Sequence, residues 1–390
     1  MASGRGVFRL CLALLSCAGG CSGPTGSHEA DGMQQALPDG APGDEAVYDA
    51  APSDATNVDE TALEPEAGVG EGALADRPLP PVAFTVMTFN VGTTAQALHD
   101  KDEAEGAGDG YTSEHAAWIS EHYGNNLAWR PAEEALRQFI AKHRPDVIAF
   151  QEMFYDPWCA DQPDPPDHLD LVCEGYDPSG PLTAERLVGP DYDVVSAKGH
   201  PDNWVAVRRA FGAIEGHPGQ GPWLDGAEGF GIPDCCSGAR VSSVDVLLPD
   251  GRRLTVVDVH TNAGMKDKDM ACRVLQFEQV FVDRGDGIPA AHGIANVVMG
   301  DMNTDFFLFA GADPSADRWN DFVGPGKAFH YVSSDSLDGP ATHATGMHLD
   351  HVASDSLVGS CFVAGESEGT DPVMESTFFD HRPVFCNVVL

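Results

Sequence analysis

From Val82 onward the chain is punctuated by short β-rich apolar runs, and most of them stop at a cluster of polar residues. The runs are Val82 to Val91, Asp146 to Phe150, Trp204 to Val207, Arg240 to Leu248, Arg253 to His260, Asn296 to Met299, His348 to Ala353 and Pro383 to Leu390. They are rich in Val, Phe and Thr and too short for buried helices, so they read as strands. The turn Pro249-Asp250-Gly251 joins two of them as a hairpin. Between them, Pro131 opens a helical pattern with Ala135, Leu136, Phe139 and Ile140 on one face, ending before Pro145. Met270 to Val282 is a second helix, with Val274, Phe277 and Phe281 at core spacing. Hairpins mixed with helix-linked strands predict helices layered on mixed sheets, an α+β or mixed α/β fold.

The first eighty or so residues are of a different kind. Residues 1–21 carry Arg5 and Arg9, then an apolar run from Leu10 to Leu15, then small residues and cysteines, the pattern of a secretory signal. The strings ending at Cys17 and Cys21 resemble a bacterial lipoprotein cleavage box; plain secretion is the alternative. Residues 22–81 are Ala, Gly, Pro, Asp and Glu with scarcely an aromatic, which predicts a disordered tether with a reach of roughly 40 Å. The expected product is an exported protein, secreted or held at the outer membrane by an N-terminal lipid. Residues 82–390 are left as the folding part. Residues 92–128 within it read as an elaborated loop with some helix, and 154–181 as a Pro- and Asp-rich surface insertion.

Net charge is −39, and the part from residue 82 onward still holds 48 acidic against 19 basic residues. Such a field repels polyanions and offers no footprint for nucleic acid, although a bound divalent cation can reverse its sign locally. Cys159, Cys173, Cys235, Cys236, Cys272, Cys361 and Cys386 lie beyond the tether, and in an exported chain they favour disulfides. Cys159 with Cys173 and Cys361 with Cys386 are natural pairs, but the connectivity stays open, and an odd count leaves at least one thiol over.

Polar residues at the strand ends form one set: Asn90, Gln151-Glu152, His260-Thr261-Asn262, Asp301 and Asn303, Asp350, and Asp380-His381. The tetrad Gly300-Asp301-Met302-Asn303 is ordinary turn chemistry by itself. If the strand continued through it, Asp301 and Asn303 would point at one bound group, and Gly300 would let that group approach the backbone. Carboxylate and amide oxygens are hard ligands for Mg²⁺ or Mn²⁺, and imidazoles donate to phosphate oxygens, so the set suits metal-assisted phosphoester hydrolysis. No serine elbow, Walker loop or HExxH string competes with it.

In order, TFNVG, PDVIAFQEM, DVHTNAG, VVMGDMNTD, HLDHVAS and FDHRPVF resemble the motifs of the endonuclease/exonuclease/phosphatase superfamily, over about Val82 to Leu390. The resemblance implies a deoxyribonuclease I-like four-layered α/β/β/α sandwich. It also implies Glu152 as main metal ligand, assisted by Asn90 and Asp380, with Mg²⁺ or Mn²⁺ as cofactor. Asp301 would orient or deprotonate the attacking water, and Asn303 would hold water and phosphate in line. His260 would contact the phosphate, and Asp350 would pair with His381, which stabilises the transition state or acts as base. Phe379 stands where this family usually has Ser or Thr. The expected partner is a phosphoester, whether small molecule, phospholipid or nucleic acid, and the chain is expected to act as a monomer with no protein partner. The rival readings are an exported endonuclease and a catalytically retired binding module; six intact clusters weigh against the second.

Overall fold

The computed structural model describes residues 79–93, 110–197, 200–215, 223–224, 235, 240–282, 288–374 and 378–390. The expected leader and nearly all of the tether lie outside these residues, as does Cys236. One sheet holds, in spatial order, β12 (Val358–Val363), β13 (Val384–Val389), β1 (Ala83–Asn90), β2 (Val147–Gln151), β4 (His200–Arg208), β3 (Tyr192–Ala197) and β6 (Trp223–Leu224). The other holds β10 (His330–Tyr331), β11 (Asp350–Ser354), β9 (Asn296–Asp301), β8 (Arg253–His260), β7 (Val241–Leu247) and β5 (Ala213–Ile214). The α-helices are α1 (Ser113–His122), α2 (Arg130–His143), α3 (Thr183–Val188), α4 (Asp267–Phe281) and α5 (Pro314–Asn320).

Strand alternation sorts the side chains into layers. Phe84 and Val86 of β1, Val147 and Ala149 of β2, and Val205 and Val207 of β4 share one core with Leu254 and Val256 of β8, Val297 and Met299 of β9, and Val352 of β11. The residues between them, such as Met87, Phe89, Ile148 and Phe150, pack with Leu136 and Phe139 of α2 and Leu187 of α3. On the other sheet Val257, Val259 and Val298 pack with Phe277 and Val280 of α4 and Trp319 of α5. Two mixed sheets with helices outside both make the four-layered sandwich expected.

The same alternation builds the site. Continuing the inward parity gives Thr88 and Asn90 on β1, Gln151 on β2, Asp258 and His260 on β8, Asp301 on β9 and Asp350 on β11, all buried. The inter-sheet layer therefore turns from apolar to polar toward one end. That end is set by two parallel pairs, β1 with β2 and β8 with β9. A parallel pair needs a crossover, which α1 and α2 supply to the first and α4 to the second, and it puts both carboxyl ends on the same side.

Helix α2 follows its sequence signals, with Pro131 in its first turn, Ala132, Leu136, Phe139 and Ile140 buried, and Arg144 left-handed at φ 48° before Pro145. Two segments differ from expectation. The buried face of α4 is Cys272, Arg273, Gln276, Phe277, Gln279 and Val280, while Val274 and Phe281 are only partly buried. The reason is polar: Arg273 pairs with Asp313 at 2.8 Å and donates to the carbonyls of Asn262 (2.9 Å) and Gly264 (2.6 Å), a role that apolar periodicity does not detect. Residues 154–181 are more than surface. They hold two 3₁₀ turns, place Phe154, Leu169 and Leu171 in the α2 core, and carry the Cys159–Cys173 disulfide. Cys235–Cys272 and Cys361–Cys386 are the other disulfides among the described residues.

Candidate active site

In the first parallel pair Asn90 lies opposite Gln151, and Glu152 comes one residue past the strand with φ 57°. The Asn90 side-chain nitrogen donates to Glu152 Oε1 and to Asp301 Oδ2, each at 3.0 Å, and its oxygen accepts from the Gly92 amide at 2.9 Å. The Gly92 bond fixes which way the carboxamide faces. Asn90 thus bridges the two carboxylates across the sheets, and its nitrogen rather than its oxygen faces them. Gly92 is required by close approach: a Cβ there would lie 1.9 Å from Glu152 Oε2.

In the second pair His260 lies opposite Asp301. Strand β9 runs through Asp301, then the chain turns, with Asn303 at φ 47°. Asp301 Oδ1 accepts from the Asn303 amide at 2.8 Å, and Oδ2 from Asn90 and from the Asn303 side chain at 3.1 Å. Asn303 donates from the same nitrogen to the Thr261 carbonyl at 2.9 Å. Turn and site are therefore the same structure, since the turn is what folds the carboxamide back onto Asp301. Gly300 serves the sheet rather than a bound group. Its φ is 146°, and a Cβ would meet the Val259 carbonyl oxygen of β8 at 1.9 Å.

Around Asp301 Oδ2 stand two imidazoles, His381 Nε2 at 3.6 Å and His260 Nε2 at 3.9 Å, the latter also 3.5 Å from Glu152 Oε1. Their charge states differ. Burial, reinforced by the Arg240 charge, pushes His260 down to about 3, so it is neutral at physiological pH. An Arg240 nitrogen approaches His260 Nδ1 at 3.4 Å, and arginine only donates, so the ring proton sits on Nε2, facing the carboxylates. For His381 burial acts in the same direction, but the carboxylates of Asp350, Asp301 and Asp380 outweigh it and hold the ring protonated. His381 Nδ1 is fixed by Asp350 Oδ2 at 2.8 Å. Asp380 is ionised: burial opposes its charge, but His343 and His381 hold its carboxyl below the usual range.

All eight residues singled out from sequence, Asn90, Glu152, His260, Asp301, Asn303, Asp350, Asp380 and His381, thus converge on one cleft. Sequence reading misses Arg240 and His343. Arg240 has a signal, because the Pro249-Asp250-Gly251 hairpin pairs Val241 with Val259 and so sets Arg240 beside His260, whose amide donates to the Arg240 carbonyl at 2.8 Å. His343 has none, lying in an irregular segment that an isolated bridge ties to His381.

The donor chemistry fits a divalent cation. Glu152 and Asp301 offer carboxylate oxygens within 4.8 Å of one another, with His260 beside them presenting its Nε2 proton. Burial, aided by the Asp380 charge, pushes the Glu152 carboxyl up to about 7, with the Asn90 hydrogen bond opposing. A carboxylate so reluctant to ionise on its own is suited to ionising against a cation.

A model of the Endonuclease/Exonuclease/phosphatase family matches residues 87–372. The chain belongs to this family, whose members are phosphoester hydrolases that generally depend on divalent metals, and its function is of that phosphoesterase or nuclease-like kind. No curated protein matches the chain. Among solved structures it is similar to humanized D. rerio TDP2, at 13% identity over 78% of this chain and 98% of that one, with a TM-score of 0.43. A Bacteroides thetaiotaomicron mannosyl-6-phosphatase is similar at 15% identity, over 79% and 100%, with a TM-score of 0.41. ANGEL2, a 2',3'-cyclic phosphatase, is similar at 13%, over 80% and 96%, with a TM-score of 0.45.

Proposed function

We propose that this protein is an exported, divalent-metal-dependent phosphodiesterase in which Asp301 receives the proton of the attacking water. The observation that carries this is the Asp301 carboxylate itself: 1% exposed, held by the Asn303 amide, the Asn303 side chain and Asn90, and faced by His381 and His260. Glu152 would hold the cation, with Asp380 near it and Asn90 setting the Glu152 rotamer; the ion would neutralise phosphate charge as a Lewis acid. Protonated His381 donates from Nε2 to a non-bridging oxygen, while Arg240 adds a positive charge that burial lowers only to about 10. His260, neutral, donates from Nε2 and takes no proton. Water oxygen bonds to phosphorus, its proton passes to Asp301, and the bond to the leaving oxygen breaks.

Three disulfides among the described residues support an oxidising compartment, and hence export by secretion or an N-terminal lipid. The test is hydrolysis of bis-p-nitrophenyl phosphate, sphingomyelin, plasmid DNA and inositol phosphates, with Mg²⁺ and with chelator. Wild type is expected to turn over at least one of them, metal-dependently. Equal rates for wild type and Asp301→Ala on all four would overturn the reading.

A further inference from the structure

We propose that the loops beyond β8, β9 and β10 form an apolar rim on one side of the cleft, which docks the active site on a zwitterionic phospholipid surface. The inference rests on the phosphodiesterase reading above and gives it a substrate class, the phosphodiester of a lipid headgroup. Among the described residues nine large apolar side chains are exposed, and three of them stand at the cleft end: Met265 (51%), Leu308 (51%) and Leu337 (50%). Met265 follows β8, Leu308 follows β9, and Leu337 lies between β10 and β11. Strands β8, β9 and β11 are neighbours, with His260 and Asp350 each opposite Asp301, so the three loops leave from the strand ends that carry the site. Of the other six, Ile294 precedes β9 and Val358 opens β12 opposite Val389, at the far end of the sheets. Half-buried Phe307 and Phe309 flank Leu308, and Ala310 and Ala312 beyond them are exposed, so this turn is an apolar knob four residues past Asn303.

Single exposed apolar residues are ordinary, but these three are held up by buried polar groups. Asp305, fully buried, accepts from the amides of Phe307 at 3.1 Å and Leu308 at 2.9 Å, which sets the knob. Its other oxygen accepts from the His348 amide at 3.0 Å, and His348 Nε2 lies 3.0 Å from the Gly339 carbonyl, which ties in the loop of Leu337. Arg273 donates to the Gly264 carbonyl, next to Met265, and to Asp313, at the end of the Leu308 turn. The Thr304 hydroxyl donates to the same Asp313 oxygen at 2.8 Å. Burying charged groups costs desolvation that only well-made hydrogen bonds offset. Here that network fixes three loop tips, and side chains presented on fixed loops lose little further freedom on docking.

Charge selects the surface. Exposed Lys266 and Lys268 follow Met265, and exposed Asp335 and Asp338 flank Leu337. A rim carrying both signs complements headgroups that carry a phosphate and an ammonium. An anionic surface is disfavoured by the 48 acidic against 19 basic residues from residue 82 onward. The lysine stems can lie along the acyl boundary while their ammonium groups reach phosphate.

The experiment is sedimentation of the full chain with phosphatidylcholine vesicles in chelator. Wild type is expected to co-sediment, and the triple variant Met265→Ser, Leu308→Ser, Leu337→Ser to need about tenfold more lipid, because its rim has lost the apolar area. Hydrolysis of dissolved bis-p-nitrophenyl phosphate should be unchanged in the variant, while cleavage of vesicle phosphatidylcholine should fall with binding. Leu308→Trp reads the rim directly: its emission should shift to the blue on these vesicles, whatever the N-terminus contributes. An equal lipid requirement for wild type and triple variant, an unshifted emission, or a preference for phosphatidylglycerol vesicles overturns the docking surface. Self-association that depends on the rim, without vesicle binding, would assign the patch to a second copy and overturn it as well. Vesicle binding with the expected pattern, but no phosphodiester cleaved in any metal, would count against the phosphodiesterase reading and leave the docking surface standing.

Discussion

The parallel pairs β1–β2 and β8–β9 deliver one carboxylate each to the cleft, and they hold them in opposite ways. In the β8–β9 pair Asp301 is the last residue of its strand, 1% exposed, and takes three hydrogen bonds. In the β1–β2 pair Glu152 is one residue past its strand, its side chain 26% exposed, with a single hydrogen bond to Oε1 and a glycine under Oε2. The first carboxylate is fixed and compensated; the second is desolvated and undercompensated, which is why it is pushed up to about 7. The strand registers are alike, so the difference arises in the turns just past the strand ends, where Asn303 folds back onto Asp301 and, among the described residues, nothing comparable folds back onto Glu152. The lesson is a division of labour between a group that must stay put and a group that must gain by binding something positive.

The largest expected effect comes from removing the fixed group. Asp301→Ala should lower kcat on bis-p-nitrophenyl phosphate about 10³-fold or more, as loss of a positioned proton acceptor does. Asp301→Asn should be nearly as poor, because it keeps the Asn303 contacts but cannot take the proton. An Asn variant within tenfold of wild type would reduce Asp301 to a scaffold.

Next come the two glycines, one beside each carboxylate. Gly300→Ala drives a Cβ to 1.9 Å from the Val259 carbonyl at φ 146°, a backbone clash with no flexible end to move. It should cost roughly 3 kcal/mol or more, read by denaturant melting. Gly92→Ala meets the end of the Glu152 side chain and, at 3.1 Å, Asn90 Oδ1, side-chain atoms rather than backbone, so melting should hold while Mg²⁺ affinity drops. Equal destabilisation by both would erase the contrast between the two pairs.

Much of this is legible in the sequence for physical reasons. Strand ends can be read because apolar runs of period two stop abruptly at polar residues, as at Phe89-Asn90 and Val259-His260. Their convergence is legible only through resemblance, since no local pattern tells which strand ends share an edge. The phase of α4 misleads because its buried stripe is built on Arg273 and Gln276, paired polar groups that mimic a solvated face. Gly300 reads toward a ligand because the sequence does not reveal that β8 lies beside it. His343 is invisible, for its partner Asp380 is 37 residues away and the segment is tied in by an isolated bridge from His343 to His381.

Glu152→Gln gives two effects of opposite sign. Its folded-state pKa of about 7 lies above the ordinary 4.5, so the stability this one carboxyl contributes to the metal-free fold declines as pH rises from about 4.5 through 7 and is gone above 7. The variant escapes that loss, and at pH 8 in chelator it should melt higher than wild type. The gain has an upper limit of roughly 3 kcal/mol, reduced by solvent screening of a quarter-exposed group, and it should vanish near pH 4.5. In saturating Mg²⁺ the order should reverse, because only wild type is stabilised by binding. Wild type should also bind Mg²⁺ more weakly as pH falls below 7, since proton and ion compete for one carboxylate. A variant that melts lower than wild type in chelator at pH 8 would mean that Glu152 is compensated after all.

The smallest effect tests the layer beneath both carboxylates. Asp258 is fully buried between the sheets, where Oδ1 accepts from Gln151 at 2.6 Å and Oδ2 has no partner among the described residues. Burial raises its carboxyl well above the usual range despite that bond, which favours the uncharged acid. Asp258→Asn replaces one neutral group by another of the same shape, and at pH 7 it should change stability by less than about 1 kcal/mol. As pH rises through the raised folded-state pKa, wild type alone ionises a desolvated group, so its melting temperature should fall away from that of the variant. Gln151 is the neighbour of Glu152 in sequence and lies opposite Asn90, so the proton on Asp258 keeps a third negative charge away from the two that matter. If Asp258→Asn instead loses several kcal/mol at pH 7, Asp258 is ionised there, and the contrast between Asp301 and Glu152 must be redrawn with a third carboxylate in the field.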